Sequence, residues 1–149
     1  MWTDAILAYL HFAAIFTLIW FLAKEWTLLR AGAASVDIER IAMADAGFGM
    51  AAGVVLITGA LRAIYGVKGW AFYAHNPAFH VKIGLFVIVA LISIAPTVRF
   101  VRWRKARRLD ASFRVPEQEW RSVRRLLVIE LHLIALIPLA AVIMARGLA

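Results

Sequence analysis

The chain has 149 residues, 64% of them hydrophobic, and a mean hydropathy of +0.81. A soluble domain of this size has roughly half of its residues apolar, so the surplus is expected to face lipid. The net charge of +8 would suggest nucleic acid in a soluble protein. Here ten of the seventeen Lys and Arg residues lie between Arg99 and Arg125, which indicates a basic membrane-side loop and no nucleic-acid partner. The lack of cysteine excludes disulfides, Cys-ligated zinc, iron–sulfur clusters and thiol catalysis.

Four segments are apolar over the length that a bilayer requires. A hydrocarbon core about 30 Å thick needs about 20 mostly apolar residues at a rise of about 1.5 Å each. Residues 3–29, 41–64, 78–98 and 126–145 meet this condition. The sequence therefore predicts an all-α integral membrane protein, in which residues 1–149 form one four-transmembrane-helix bundle. The first segment lacks a basic region before it and a small-residue cleavage site after it, so we expect it to be retained.

The basic stretch at residues 99–125, predicted here as a loop, indicates the orientation, because positively charged loops stay cytoplasmic. Both termini are then outside. We expect the chain to lie in a bacterial inner (cytoplasmic) membrane, where this loop contacts anionic lipids. Tryptophans near the predicted ends of the segments agree with an interfacial aromatic belt.

Gly49 and Gly53 form a G-x-x-x-G pattern in the second segment. Small residues let helices approach closely in lipid, where no hydrophobic force drives them together. We expect close packing inside the bundle, with a homo-oligomer formed through Gly49 and Gly53 as the alternative.

Ionisable side chains in the segments are costly in hydrocarbon, so each needs a partner or a function. Counting about 1.5 Å per residue from the outer ends places imidazoles and cations in an outer layer. This layer suits an anionic or planar ligand and contains His11, Arg62, His80 and Lys82.

An inner layer contains the carboxylates Asp45 and Glu130, with His132 at a similar depth. Ion pairs with Lys24, Arg124 or Arg125 would explain these carboxylates. At about 100° per residue, Glu25 returns close to the face of His11, so both are expected to point into the bundle. Glu130 and His132 are expected on different faces.

Histidines on separate helices of a bundle can hold haem or a metal. A buried histidine can also simply hydrogen-bond to a neighbouring helix, and both readings stay open for His11 and His132. Local spacings such as H-x-x-x-H are absent. Haem needs no such local motif, because each helix supplies a single axial ligand.

Two stretches resemble the HemJ-type protoporphyrinogen oxidases: Leu10-His11 with the apolar run that follows, and Phe79-His80-Val81-Lys82-Ile83-Gly84-Leu85. The whole chain also resembles an uncharacterised bacterial group of predicted membrane proteins. The HemJ resemblance implies haem b and a redox reaction that removes hydrogens from a tetrapyrrole. It implies His11 and His80 as the axial-ligand or catalytic candidates. Depth along the helices leaves His132 as the other possible partner of His11. The resemblance further implies Arg62 and Lys82 as counter-charges for propionates, Lys82 also being a catalytic candidate, and Glu130 as proton acceptor.

Three functions follow as hypotheses. The first is a haem-b-binding membrane redox protein. The second is a non-enzymatic membrane binding or scaffold protein that uses the basic stretch. The third is a small transporter or channel subunit that uses its intramembrane charges as a relay.

Overall fold

The computed structural model describes residues 2–146, and over these residues it contains helices and no strand. The elements are α1 (Trp2–Leu29), α2 (Ile38–Tyr65), the short α3 (Gly69–Ala74), α4 (Pro77–Leu109) and α5 (Glu117–Arg146). The four long helices are each long and apolar enough to cross a membrane. The predicted fold class, an all-α four-span membrane protein, is confirmed.

The helix starts follow from local capping. The Asp37 side chain accepts a hydrogen bond from the Arg40 N–H at 3.0 Å and caps α2. Asn76 accepts one from the Phe79 N–H at 3.2 Å and caps α4, where Pro77 occupies the first position. These caps place the starts of both helices slightly before the predicted ones.

The basic stretch at residues 99–125 is mostly helical, so its prediction as a loop was wrong. Helix α4 continues to Leu109 and α5 begins at Glu117, which leaves only residues 110–116 as the connection. Hydropathy detects the part of a helix that lies in lipid. Arg and Lys are good helix formers, so both helices continue beyond that part.

The four long helices form a ring around a common core. Helix α1 packs mainly on α2 and α4 mainly on α5, while contacts of α2 with α4 and of α1 with α5 close the ring. Within residues 2–146 no Cα atoms of the diagonal pairs lie within 8 Å of each other, and α3 lies beside α2 and α4. The short connections make neighbouring helices antiparallel. We call the end with residues 30–37 and 110–116 the basic end, and the other the α3 end.

The buried positions of α1 recur every three or four residues, as in a coiled-coil seam. They are His11, Ala14, Leu18, Leu22, Glu25 and Leu29. Large apolar side chains such as Phe16, Trp20 and Met50 are exposed on the outside of the ring. A bilayer would cover this surface, whereas water would not.

Two tryptophans form hydrogen bonds between helices at the basic end. The indole N–H of Trp120 donates to the Leu29 carbonyl oxygen at 2.9 Å, which satisfies an acceptor at the C-terminal end of α1. The indole N–H of Trp103 donates to Oε2 of Glu119 at 2.7 Å. The first bond connects α5 to α1, and the second connects α4 to α5.

Several charged side chains at the basic end form hydrogen bonds or ion pairs with neighbouring residues. Glu39 accepts from Nε of Arg104 at 2.8 Å and from Nε of Arg108 at 3.4 Å. After α4, Oδ1 of Asp110 accepts from the Ser112 hydroxyl at 2.6 Å and from its N–H at 2.8 Å. These two hydrogen bonds lower the pKa of the Asp110 carboxyl.

Gly49 and Gly53 do not mediate close packing inside the bundle, so that expectation was wrong. A Cβ added at either position would meet nothing within 4 Å in the described part of the chain. Close approach occurs instead at Gly47, against the Phe21 ring, and at Gly59, where an added Cβ would lie 3.1 Å from Cε1 of His11. The homo-oligomer alternative stays a prediction.

Candidate functional site

Three carboxyl groups from three helices are buried together in the half of the bundle nearer the basic end. They are Glu25 of α1, Asp45 of α2 and Glu130 of α5, with exposed fractions of 2%, 6% and 1%. Glu25 lies within electrostatic range of both others, and Glu130 within that of Asp45. We call this cluster the carboxylate triad.

The triad is only partly satisfied by hydrogen bonds. Oδ1 of Asp45 accepts from the Thr97 hydroxyl at 2.8 Å. Oε1 of Glu25 and Oε1 of Glu130 are buried and have no hydrogen-bond partner in the described part of the chain. Between residues 2 and 146, no Lys, Arg or His forms an ion pair with the triad.

The cations predicted to neutralise Asp45 and Glu130 lie elsewhere, so that expectation was wrong. Nζ of Lys24 lies 5.0 Å from the centre of the Trp20 ring on the outside of α1. The guanidinium of Arg124 lies over the Trp26 ring at 5.6 Å, and Arg125 is exposed. These side chains occupy helix faces that point away from the bundle axis.

His11, a member of the predicted outer layer, is buried and 3% exposed. Its Nδ1 lies 2.9 Å from Oγ1 of Thr58. The Thr58 hydroxyl donates its single hydrogen to the Val54 carbonyl oxygen at 2.7 Å. We therefore assign the Nδ1–H tautomer to His11, with Nδ1 as donor and Nε2 as the acceptor nitrogen.

A cavity of about 60 Å³ lies beside His11 towards the α3 end of the bundle. Two cations reach it from different helices, Arg62 from α2 and Lys82 from α4. The complete lining is His11, Gly59, Arg62, Ala63, Tyr73, Phe79, Lys82 and Met144. The structure thus brings together three of the four residues predicted for the outer layer.

The other two histidines of the prediction lie on outward faces. Nε2 of His80 is 2.9 Å from the Ala74 carbonyl oxygen, and Nδ1 of His132 is 2.6 Å from that of Val128. Both side chains are exposed, and neither lines the cavity. The expectation that His132 and Glu130 occupy different faces holds, since Glu130 is buried.

The described packing around His11 does not fit a porphyrin. Sites for drug-sized ligands occupy roughly 300–1,000 Å³, whereas this cavity measures about 60 Å³. Within residues 2–146, no group of three or more His, Cys, Asp or Glu side chains is arranged to hold a metal ion. The predicted haem b, with His11 and His80 as iron ligands, stays a prediction.

Glu25 and Asp45 were not among the predicted site residues, although the structure places both beside Glu130. One signal was present in the sequence. Glu25 follows His11 by 14 residues, or two heptads, so both occupy the same position of a coiled-coil seam. The expectation that Glu25 and His11 both point into the bundle agrees with their burial, although no site role was predicted for Glu25.

Four spanning helices with ionisable side chains in their common core define a multi-pass α-helical membrane protein. The chain belongs to the family described as "Predicted membrane protein (DUF2214)", which matches residues 3–149. The predicted resemblance to an uncharacterised group of predicted membrane proteins is thereby confirmed. No curated protein and no solved structure matches the chain significantly. The HemJ likeness and the bacterial origin stay predictions.

Proposed function

We propose that this protein binds and exchanges protons within the membrane, as a small transporter or channel subunit whose proton site is the carboxylate triad. The observation that carries the proposal is the pair of buried oxygens without hydrogen-bond partners, Oε1 of Glu25 and Oε1 of Glu130. A buried acceptor without a partner costs about 1–3 kcal/mol. Two such acceptors in one cluster favour a function over a structural role.

The physical argument rests on charge. Removing a carboxylate from water costs several kcal/mol even after relaxation, and nearby carboxylates repel each other in a medium of low dielectric constant. No cation pairs with the triad within the described residues. We therefore infer that bound protons neutralise the carboxylates of the triad. A metal ion is the weaker choice, because no described group has the arrangement that a metal ion needs.

The position of the triad favours proton exchange with the basic end. Glu25 lies four residues before the end of α1 at Leu29, about 6 Å along the helix axis. Towards His11, by contrast, the seam of α1 is apolar over Leu22, Leu18 and Ala14. Passage of a proton across this apolar layer requires a change in the helix packing or the entry of water.

The test uses the full chain reconstituted in liposomes. We expect infrared spectra at neutral pH to contain the C=O stretching band of protonated carboxylic acids, and Glu25→Gln and Glu130→Gln each to reduce it. Under an imposed membrane potential, the same changes should reduce proton flux at least about tenfold. Glu117→Gln is the matched control, because Glu117 is exposed and pairs with Arg121 at 2.9 Å.

The proposal fails if the band is absent from the wild-type protein. It also fails if both triad variants keep the wild-type band and flux. A flux that depends on sodium rather than on protons would show that the transported ion is a metal cation and not a proton.

A haem-linked redox protein is the second candidate, and the tautomer of His11 favours it. Metal-binding histidines typically donate one ring N–H to a partner and present the other nitrogen to the metal, and His11 donates to Thr58 in this way. Arg62 and Lys82 would then lie near the propionates. Haem requires the helices to separate at the α3 end, beyond the packing described above.

An absorption spectrum distinguishes the candidates. A Soret band in protein produced with sufficient haem, lost in His11→Ala and kept in His75→Ala, would favour haem. His75 is a suitable control because it is exposed and its Nδ1 lies 2.9 Å from the carbonyl oxygen of Ala71. Colourless protein after haem reconstitution would remove this candidate.

We also propose that the basic end is cytoplasmic and binds anionic lipids of an inner membrane. Arg104 and Arg108 are engaged with Glu39. Lys105 and Arg125 are exposed and form no ion pair or hydrogen bond in the described part of the chain. These two are among the cations available to lipid phosphates, as is Arg30, which is likewise exposed and whose side chain forms no ion pair or hydrogen bond among residues 2–146.

A further inference from the structure

We propose that the cavity beside His11 binds a small monovalent anion, with Arg62 and Lys82 as its ligands. Arg62 and Lys82 lie within electrostatic range of each other and of His11. Across residues 2–146, no carboxylate forms an ion pair with either cation. Arg62 and Lys82 are each only partly exposed, so their positive charges are incompletely solvated, and an anion between them offsets part of that cost.

Donor groups for the anion are already present. Nε of Arg62 is buried and has no hydrogen-bond partner among residues 2–146. Cζ of its guanidinium lies 5.7 Å from the centre of the Phe12 ring. This cation–π contact uses none of the N–H donors, which stay available to an anion. The ammonium of Lys82 adds three donors that rotate to suit the ligand.

The size of the cavity selects the ligand. About 60 Å³ holds a few water molecules or an ion of similar size. Tyr73 of α3 and Phe79 of α4 form part of its lining near the α3 end, and Met144 of α5 lines it as well. Chloride or formate fits this space, whereas a lipid headgroup or a sugar acid does not.

The experiment measures thermal unfolding of the full chain in a neutral detergent, in sodium chloride or sodium gluconate at equal ionic strength. Gluconate is too large for the cavity. We expect chloride at about ten times its dissociation constant to raise the unfolding temperature by about 3–5 °C relative to gluconate. Arg62→Gln and Lys82→Gln should each abolish this difference.

Arg124→Gln is the matched control, since Arg124 also lies over an aromatic ring but on an outward face. It should keep the full chloride effect. In gluconate, Arg62→Gln should unfold at the wild-type temperature or above it, because the variant lacks the uncompensated charge. Broadening of the chloride NMR line by the wild-type protein, reversed by formate, is a readout that does not depend on any variant.

Equal unfolding temperatures of the wild-type protein in the two salts, together with an unbroadened chloride line, would overturn the proposal. So would a chloride effect that survives in both Arg62→Gln and Lys82→Gln. The outcome is separate from the proton proposal, because Glu25→Gln should keep the chloride effect. The anion proposal can therefore be wrong while the triad still binds protons, and the proton proposal can be wrong while the cavity still binds an anion.

Discussion

His11 and Thr58 form a buried hydrogen bond between α1 and α2, with Nδ1 and Oγ1 separated by 2.9 Å. The contact joins residues 47 positions apart in the chain. It fixes the orientation of the imidazole that forms one wall of the cavity. The haem candidate depends on that orientation, because it requires the second ring nitrogen of His11 as a metal ligand.

Thr58→Val should destabilise the protein by about 1 kcal/mol, because valine keeps the shape of threonine but cannot accept the His11 N–H. Reversible unfolding in mixed detergent micelles measures the effect. Thr17→Val is the control, since the Thr17 hydroxyl donates to the Ala13 carbonyl oxygen within α1 on an exposed face. Equal stabilities of Thr58→Val and the wild-type protein would show that the bond is not formed.

Two glycines of α2 should respond differently to alanine. A Cβ at Gly59 would lie 3.1 Å from Cε1 of His11, so the ring or the helix must move. We expect Gly59→Ala to cost about 1–3 kcal/mol. Gly49→Ala meets nothing within 4 Å and should be neutral or stabilising by up to about 1 kcal/mol, because alanine is the better helix former. Similar losses for both variants would contradict the packing of α1 on α2.

The orientation is testable with single cysteines, because the chain has none of its own. Ser112→Cys lies in the connection at the basic end, and Val67→Cys lies between α2 and α3 at the other end. An impermeant thiol reagent added to intact cells should label Val67→Cys and not Ser112→Cys, because the basic end is expected to be cytoplasmic. Labelling of Ser112→Cys alone would reverse the orientation.

Anionic lipid should interact most strongly with the cations that lack protein partners. We expect Lys105→Gln and Arg125→Gln together to weaken binding of the purified protein to anionic lipid nanodiscs by about thirtyfold, at about 1 kcal/mol per charge. The matched pair, Arg104→Gln with Arg108→Gln, should weaken it less, because these side chains are already engaged with Glu39. Salt should reduce the wild-type binding. Equal losses in the two pairs would mean that only total charge matters.

Much of the fold could be predicted because hydropathy is a local property. The first span was predicted at residues 3–29 and observed at Trp2–Leu29, and the second at residues 41–64 and observed at Ile38–Tyr65. The error at residues 99–125 has a local cause as well. A helix that leaves the membrane loses its apolar character while keeping its backbone hydrogen bonds, so composition alone misses its end.

The site was less predictable because its residues meet only through packing. Depth along each helix can be counted from the sequence, and this count separated the His11 layer from the layer of Asp45 and Glu130. The direction in which each side chain points depends on the rotation of its helix against its neighbours. His80 and His132 therefore had the expected types and depths but lie on outward faces.

By itself, the sequence determined that this protein is a four-span membrane protein with a strongly basic end and ionisable groups in its interior. Only the tertiary structure decided which of those groups meet. Glu25 and Glu130 are 105 residues apart, and they come together because α1 and α5 close the ring of helices. A segment is expected to lie in lipid when its own residues are apolar, and this can be read directly from the sequence. The convergence of polar groups depends on side-chain packing between helices, which no single segment contains.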